Sequence, residues 1–155
     1  MQVMWESLLE QFQGYPSLLV AFSGGVDSTL LARAAGEAVV GAVLPVFCRT
    51  PLNTAAEEEQ ARRLAELLGL PLRVTELDVL ALPQVAQNRR ERCYVCKRKL
   101  FSHLQELAAR EGLAQVAEGS NADDLRAASR PGLKAAAELN IAQPLAAATS
   151  GKPSR

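Results

Sequence analysis

No stretch of this 155-residue chain approaches the roughly 20 consecutive apolar residues that span a bilayer. No membrane partner is therefore expected. The N-terminus, MQVMWESLLEQF, lacks a basic n-region, an apolar h-region and a small-residue cleavage site. That absence predicts a cytoplasmic protein. An excess of one charge is lacking too: 17 Lys+Arg balance 17 Asp+Glu. A chain-wide pull toward nucleic acid or an anionic membrane is thus not expected, which leaves only a local basic patch open. Cysteine is sparse, at positions 48, 93 and 96. In a reducing compartment Cys48, Cys93 and Cys96 should be thiols or thiolates rather than structural disulfides. Cys93 and Cys96 have the C-x-x-C spacing of a zinc half-site or a redox pair. The single histidine, His103, lies seven residues past Cys96, about 10 Å along a helix. One ion cannot take all three without a break in that helix, so zinc within one chain is not expected. A buried, inert pair of thiols is the plain alternative.

Apolar residues make up 48% of the chain, enough for one domain with one core. MQVMWESLLEQF reads as an amphipathic helix with Val3, Met4, Leu8, Leu9 and Phe12 on one face. Trp5 should pack there. Gly14 to Ser17 is a turn, and Leu18 to Phe22 a buried strand. Helical spacing of Leu30, Leu31, Ala34 and Ala35 follows, with Gly36 near the stop. Residues 39–47 read as a second strand, although Pro45 favours an edge or a strand end. Thr54 and Glu57 have capping-box spacing. Ala61, Leu64, Ala65 and Leu68 form the inner stripe of that helix, stopped by Gly69 and Pro71. Leu72 to Leu77 is a third strand. Residues 78–92 read as a loop or broken helix. A long helix should run from about Tyr94 to Arg110, ended by Gly112. LAQVAEG supplies a fourth strand, two further helices follow, and IAQPL is a candidate fifth strand. This alternation predicts an α/β fold: a doubly wound, mostly parallel, Rossmann-like sheet. The domain should cover residues 1–148. AAATSGKPSR reads as unpacked, with a flexible tail over 149–155.

The stretch SGGVDS, Ser23 to Ser28, leaves the first strand and enters a helix. In open parallel sheets, ligands sit at the carboxyl ends of strands near the point where strand order reverses. A helix N-terminus offers unpaired N–H groups and partial positive charge, so it attracts an anion. Gly24 and Gly25 permit close backbone approach and positive φ. Ser23 and Ser28 add hydroxyl donors. Asp27 has two readings: it caps its own helix, or it holds a metal ion that partly neutralises phosphate. The Walker loop is excluded because no lysine follows, and the dinucleotide fingerprint because its third glycine is missing. A Ser/Gly turn that merely starts a helix is the plain alternative.

AFSGGVDSTLL resembles the pyrophosphate loop of the N-type ATP pyrophosphatases, the PP-loop superfamily with an adenine nucleotide alpha hydrolase-like (HUP-type) fold. The resemblance implies cleavage of ATP to AMP and pyrophosphate, with adenylylation of a substrate. By it, Ser23, Gly24, Gly25, Asp27 and Ser28 would surround the β and γ phosphates and Mg²⁺, and the backbone of Ala21 and Phe22 would lie near the adenosine. Two later stretches, RCYVCKRKLF (Arg92 to Phe101) and EGSNADDLRAASRPGLKAAAELNIAQPL (Glu118 to Leu145), are similar to the LarE-like sulfur transferases of lactate racemase maturation. The resemblance spans about Leu18 to Leu145. It implies adenylylation of a nicotinate-derived dinucleotide and then ATP-dependent sulfur transfer in nickel-pincer-type cofactor synthesis.

SNADDL by itself is composed of turn and cap formers. Its position after the fourth strand favours a ligand role. Gly119, Ser120 and Asn121 would then lie near the nucleotide, and Asp123 or Asp124 near a metal or substrate. The resemblance implies that Lys97 faces nucleotide or substrate phosphates, with a solvated surface charge as the plain alternative for Lys97 and Arg92, and Arg130 could pair with a substrate phosphate. Arg49 and Thr50 follow the second strand and would line the adenosine pocket. The catalytic candidates are Asp27, Lys97, Asp123 and Asp124. The expected cofactors are ATP and Mg²⁺, the partners a nucleotide and a small-molecule substrate, and the family pattern implies a homo-oligomer.

This chain departs from the family where GKPSR stops at Arg155, because relatives carry a sulfur-donor cysteine just beyond such a segment. Ala128 and Ser129 also replace the more usual acidic and aromatic residues. Three explanations stay open: a truncated or degenerate member, a gene fragment, or a version drawing sulfur from elsewhere, Cys93 or Cys96 included. A non-catalytic nucleotide-binding remnant and another PP-loop branch (an amidating synthetase or a tRNA thiolation enzyme) are the alternative functions.

Overall fold

The computed structural model describes residues 2–78, 92–120 and 131–150. Four strands form one parallel sheet: β1 (Leu18–Ala21), β2 (Val43–Arg49), β3 (Arg73–Glu76) and β4 (Val116–Ala117). Their order is β3-β2-β1-β4. Among the described residues the helices are α1 (Gln2–Glu10), α2 (Val26–Ala38), α3 (Ala55–Leu68), α4 (Arg92–Glu111), α5 (Pro131–Glu138) and α6 (Pro144–Ser150). The expected doubly wound α/β sheet is what the chain builds.

Period-two alternation along β1 produces the two layers. Leu18, Val20 and Phe22 enter a core with Leu8, Leu31, Ala61 and Leu145, contributed by α1, α2, α3 and α6. Leu19 points the other way and joins Val46, Phe101, Leu104 and Ala135, on the side of α4 and α5. Helices cover both faces, so neither face of β1 needs polar residues.

Pro45 sits in β2, an interior strand, paired with Val20. Leu18 N–H donates to Ala42 O and Phe22 N–H to Val46 O, so the backbone polar groups of even-numbered β2 residues face β1. Pro45 therefore turns its missing N–H toward β3. Pairing with β3 begins only at Val46↔Arg73, so no ladder bond is lost.

The helix signals act as the sequence indicates. Thr54 Oγ1 accepts the Glu57 N–H at 3.1 Å, and Gly69 closes α3 with φ +71°. Trp5 packs against the core, with the Arg33 guanidinium 6.0 Å from its ring centre. Several boundaries differ. Met4 is half exposed rather than inward. α2 continues past Gly36 to Ala38. The second strand starts at Val43, not 39, because Val39 still closes α2 through its N–H to Ala35 O. A turn follows, in which a Cβ at Gly41 would fall 1.9 Å from Pro16 O. In LAQVAEG only Val116–Ala117 is strand. In IAQPL only Ala142 pairs, as a bridge to Ala117, and Pro144 already opens α6. The unpacked reading of AAATSGKPSR is corrected at its start: Ala146 and Ala147 are buried in α6. Residues 151–155 lie outside the described residues. Among the described residues, no helix is long and apolar enough to cross a membrane.

Candidate functional site

β1 ends at Ala21 and α2 begins at Val26, so SGGVDS bridges a strand end to a helix start. Gly24 takes φ +81°, and a Cβ there would come within 3.1 Å of the Ala61 backbone. Its carbonyl accepts from Gln60 Nε2 at 3.1 Å. Gly25 is the N-cap, with an ordinary extended conformation (φ −78°, ψ 173°) and no side-chain cap hydrogen bond. Of the two glycines, only Gly24 uses positive φ. The serine hydroxyls draw the loop together. Ser28 Oγ accepts the Ser23 N–H at 3.2 Å and lies 3.1 Å from Ser23 Oγ. With no carboxylate or hydroxyl at the cap position, the first turn of α2 keeps its attraction for an external anion.

That turn borders a cleft of about 410 Å³ at the carboxyl ends of β1, β2 and β4. Chain order reverses here: β2 lies on one side of β1 and β4 on the other, the crevice where open parallel sheets bind ligands. Ala21, Phe22, Ser23, Asp27 and Ser28 line it from the first loop. Thr50 joins from the end of β2, Lys97 from α4, and Gly119 and Ser120 from the end of β4. Four elements distant in sequence thus bring nine of the anticipated residues together. Gly24 and Gly25 shape the loop without lining the cleft. Asn121, Asp123, Asp124 and Arg130 lie outside the described residues.

One anticipated placement changes. Arg49 does not reach the cleft. Its Nε donates to Glu58 Oε1 at 2.6 Å, and its Nη1 pairs with Glu76, its neighbour in the β2–β3 register. The hydrogen bonds from Arg49, then from Arg62, hold the Glu58 carboxyl down at about 2; the hydrogen bonds to Glu58, then to Glu76, raise the Arg49 pKa. Thr50 lines the cleft, but its hydroxyl serves its own turn. Thr50 Oγ1 donates to Asn53 Oδ1 at 3.0 Å and accepts the Leu52 N–H at 3.1 Å.

Sequence reasoning missed Glu118 and Cys48, which both line the cleft. The available signal was position alone: each stands at the carboxyl end of a strand that flanks or follows the switch point. Glu118 Oε2 accepts from Ser120 N–H at 3.0 Å and Ser120 Oγ at 2.9 Å, and Oε1 accepts from Gln143 Nε2 at 2.7 Å. Burial, and secondarily Cys96, push the Cys48 thiol up to about 11. Cys96 shares the cleft lining, and the Cys93 side chain lies outside the described residues. His103 hydrogen-bonds Thr75 across β3 and α4, with Nε2 2.7 Å from Oγ1.

The residues suit an adenine nucleotide. The volume falls in the usual range for small-ligand sites, and an open helix N-terminus and Lys97 both border it, the Lys97 Nζ lying 5.9 Å from the Phe101 ring centre. Among the described residues, no three His, Cys, Asp or Glu side chains group to hold a metal. Mg²⁺ on a nucleotide needs less: one or two carboxylates, with phosphates and waters supplying the rest. Asp27 brings one carboxylate to the cleft lining.

No family model matches the chain. It is 36% identical over 141 residues to an uncharacterized protein of Synechocystis sp. (strain ATCC 27184 / PCC 6803 / Kazusa), covering 91% of this chain and 52% of that one. It is also 36% identical over 134 residues to the pyridinium-3,5-bisthiocarboxylic acid mononucleotide synthase of Lactiplantibacillus plantarum, covering 85% of this chain and 48% of the synthase. The chain thus spans about half the length of the curated relatives it matches. An NH3-dependent NAD synthetase from Campylobacter jejuni superposes with TM-score 0.62 at 22% identity, over 80% of this chain and 56% of the synthetase. That likeness shows a shared fold.

Proposed function

Because the chain belongs to the PP-loop ATP pyrophosphatase superfamily and is LarE-like within it, we propose that it binds Mg²⁺-ATP in the cleft beside α2 and adenylylates a small nucleotide substrate. An oxygen of the substrate attacks the α phosphorus, the α–β bridge breaks, and pyrophosphate leaves. In this reading the first-turn N–H groups of α2, the hydroxyls of Ser23 and Ser28, and Lys97 hold the phosphates that become pyrophosphate. Asp27 would hold Mg²⁺, which would supply charge stabilisation to the leaving pyrophosphate. The observation that carries the reading is the α2 N-terminus, uncapped by any side chain and open to a cleft at the β1/β4 switch point.

The finer form of the proposal follows the Lactiplantibacillus plantarum relative, whose name describes a thiocarboxylic acid of a pyridinium mononucleotide. The substrate is then the carboxylate form of that pyridinium mononucleotide, rather than the nicotinate-derived dinucleotide expected from the sequence, activated for sulfur transfer toward a nickel-pincer-type cofactor. A second reading is nucleotide binding without turnover.

Titration with Mg²⁺-ATP, with and without the pyridinium mononucleotide carboxylate, while pyrophosphate is measured in the same samples, separates these readings. Substrate-dependent pyrophosphate supports adenylylation. ATP binding without pyrophosphate supports the second reading. No ATP binding overturns both.

A further inference from the structure

The loop after β4 has a hydrogen-bond polarity unlike that of the loop after β1. Glu118 is fixed at the end of β4: its N–H donates to Ala142 O at 2.9 Å. Its carboxylate then meets three donors, Gln143 Nε2 on Oε1 and both the N–H and the hydroxyl of Ser120 on Oε2. A carboxylate supplies only lone pairs and a serine hydroxyl only one proton. The proton of Ser120 is therefore committed to Glu118, and Ser120 Oγ offers lone pairs to the cleft that both residues line. Such an atom repels phosphate oxygens and accepts from a ligand hydroxyl.

Position selects which hydroxyl. A Cβ on Gly119 would lie 3.2 Å from Ser28 N and 3.3 Å from the Asp27 carbonyl carbon, so this loop stands directly against the first turn of α2. In a nucleotide whose phosphates meet that turn, the donor next along the molecule is the ribose. The exocyclic amine lies on the far side of the base.

Resting on the nucleotide reading above, we infer that Ser120 accepts a hydrogen bond from a ribose hydroxyl of ATP, and that Glu118 is the positioning residue that turns Ser120 into an acceptor. The pair makes the site discriminate against a nucleotide that lacks the ribose hydroxyl, 2′ or 3′, that Ser120 accepts from.

The test compares Mg²⁺ complexes of ATP, 2′-deoxy-ATP and 3′-deoxy-ATP by calorimetric titration of the 155-residue chain. ATP is expected to bind about tenfold more tightly than one of the deoxy analogues, since the loss leaves a charge-assisted acceptor unpaired. Ser120→Ala lowers ATP affinity to that of the analogue and leaves the analogue unchanged. Glu118→Ala narrows the preference to about threefold or less, whereas Ser120→Thr, which keeps the hydroxyl, retains it. Equal binding of all three nucleotides by the unaltered chain overturns the inference while leaving the nucleotide site intact, and so does a full preference in Ser120→Ala. Failure of every nucleotide to bind overturns the nucleotide reading itself, and this inference with it.

Discussion

Gly119 stands against Ser28: a Cβ placed on Gly119 would lie 3.2 Å from the Ser28 backbone nitrogen and 3.3 Å from its Cα. The end of β4 and the start of α2 thus meet backbone to backbone, and the facing atoms have no flexible side chain to move aside. Gly119→Ala should force the two apart by a few tenths of an ångström. The expected result is a loss of about 1–2 kcal/mol in urea unfolding, with weaker Mg²⁺-ATP binding. Wild-type values for both would show that the loop yields freely.

The two glycines of SGGVDS should respond in opposite ways. Gly24 has φ +81° and a backbone neighbour 3.1 Å from its missing Cβ, so Gly24→Ala should cost about 2 kcal/mol. Gly25 has φ −78° and meets only Ser23 Oγ, at 3.4 Å. Gly25→Asp should cap α2, keeping or raising stability by about 0.3 kcal/mol, while its charge repels the phosphates. Thermal melts and ATP titration of this one variant should therefore diverge: Tm held or raised, affinity reduced about tenfold or more. A lowered Tm would mean that the open N-terminus is not what Gly25 preserves.

Cys48 should react slowly with iodoacetamide at neutral pH and accelerate only as pH approaches about 11, because the thiolate is the nucleophile. Peptide mapping by mass spectrometry reads the rate, and Mg²⁺-ATP should protect Cys48 and Cys96 together, since both line the cleft. The stability linkage has a definite sign. The folded state holds the Cys48 proton more tightly than the unfolded chain, so its contribution is present below the ordinary thiol range and is lost as pH rises toward 11. Rapid modification at pH 7 would contradict the half-buried placement of Cys48.

Arg49→Ala should leave ATP affinity within about twofold, since its guanidinium is engaged by Glu58 and Glu76 outside the cleft lining. A small loss of Tm is expected, reduced by added salt as for exposed ion pairs. Glu58 contributes stability above the ordinary carboxylate range and loses it as pH falls through about 2. A tenfold loss of ATP affinity would place Arg49 in the site after all.

Local chemistry decided much of this protein from the sequence. The 18–22 run alternates between two cores because side chains on a strand alternate. Thr54 and Gly69 bound α3 because a hydroxyl satisfies an orphan N–H and glycine adopts the left-handed turn. SGGVDS names a loop that borders the cleft. The tertiary structure decided what depends on partners far away in sequence. Pro45 is tolerated inside the sheet because β3 starts one residue later. Residues 39–42 are not strand because Gly41 must pass against Pro16. Arg49 leaves the cleft because the parallel register sets it beside Glu76. Glu118 matters because Gln143 and Ser120 converge on it. Each of these outcomes turns on a distance between separate segments, and residue spacing along a chain does not contain that distance until the core has packed.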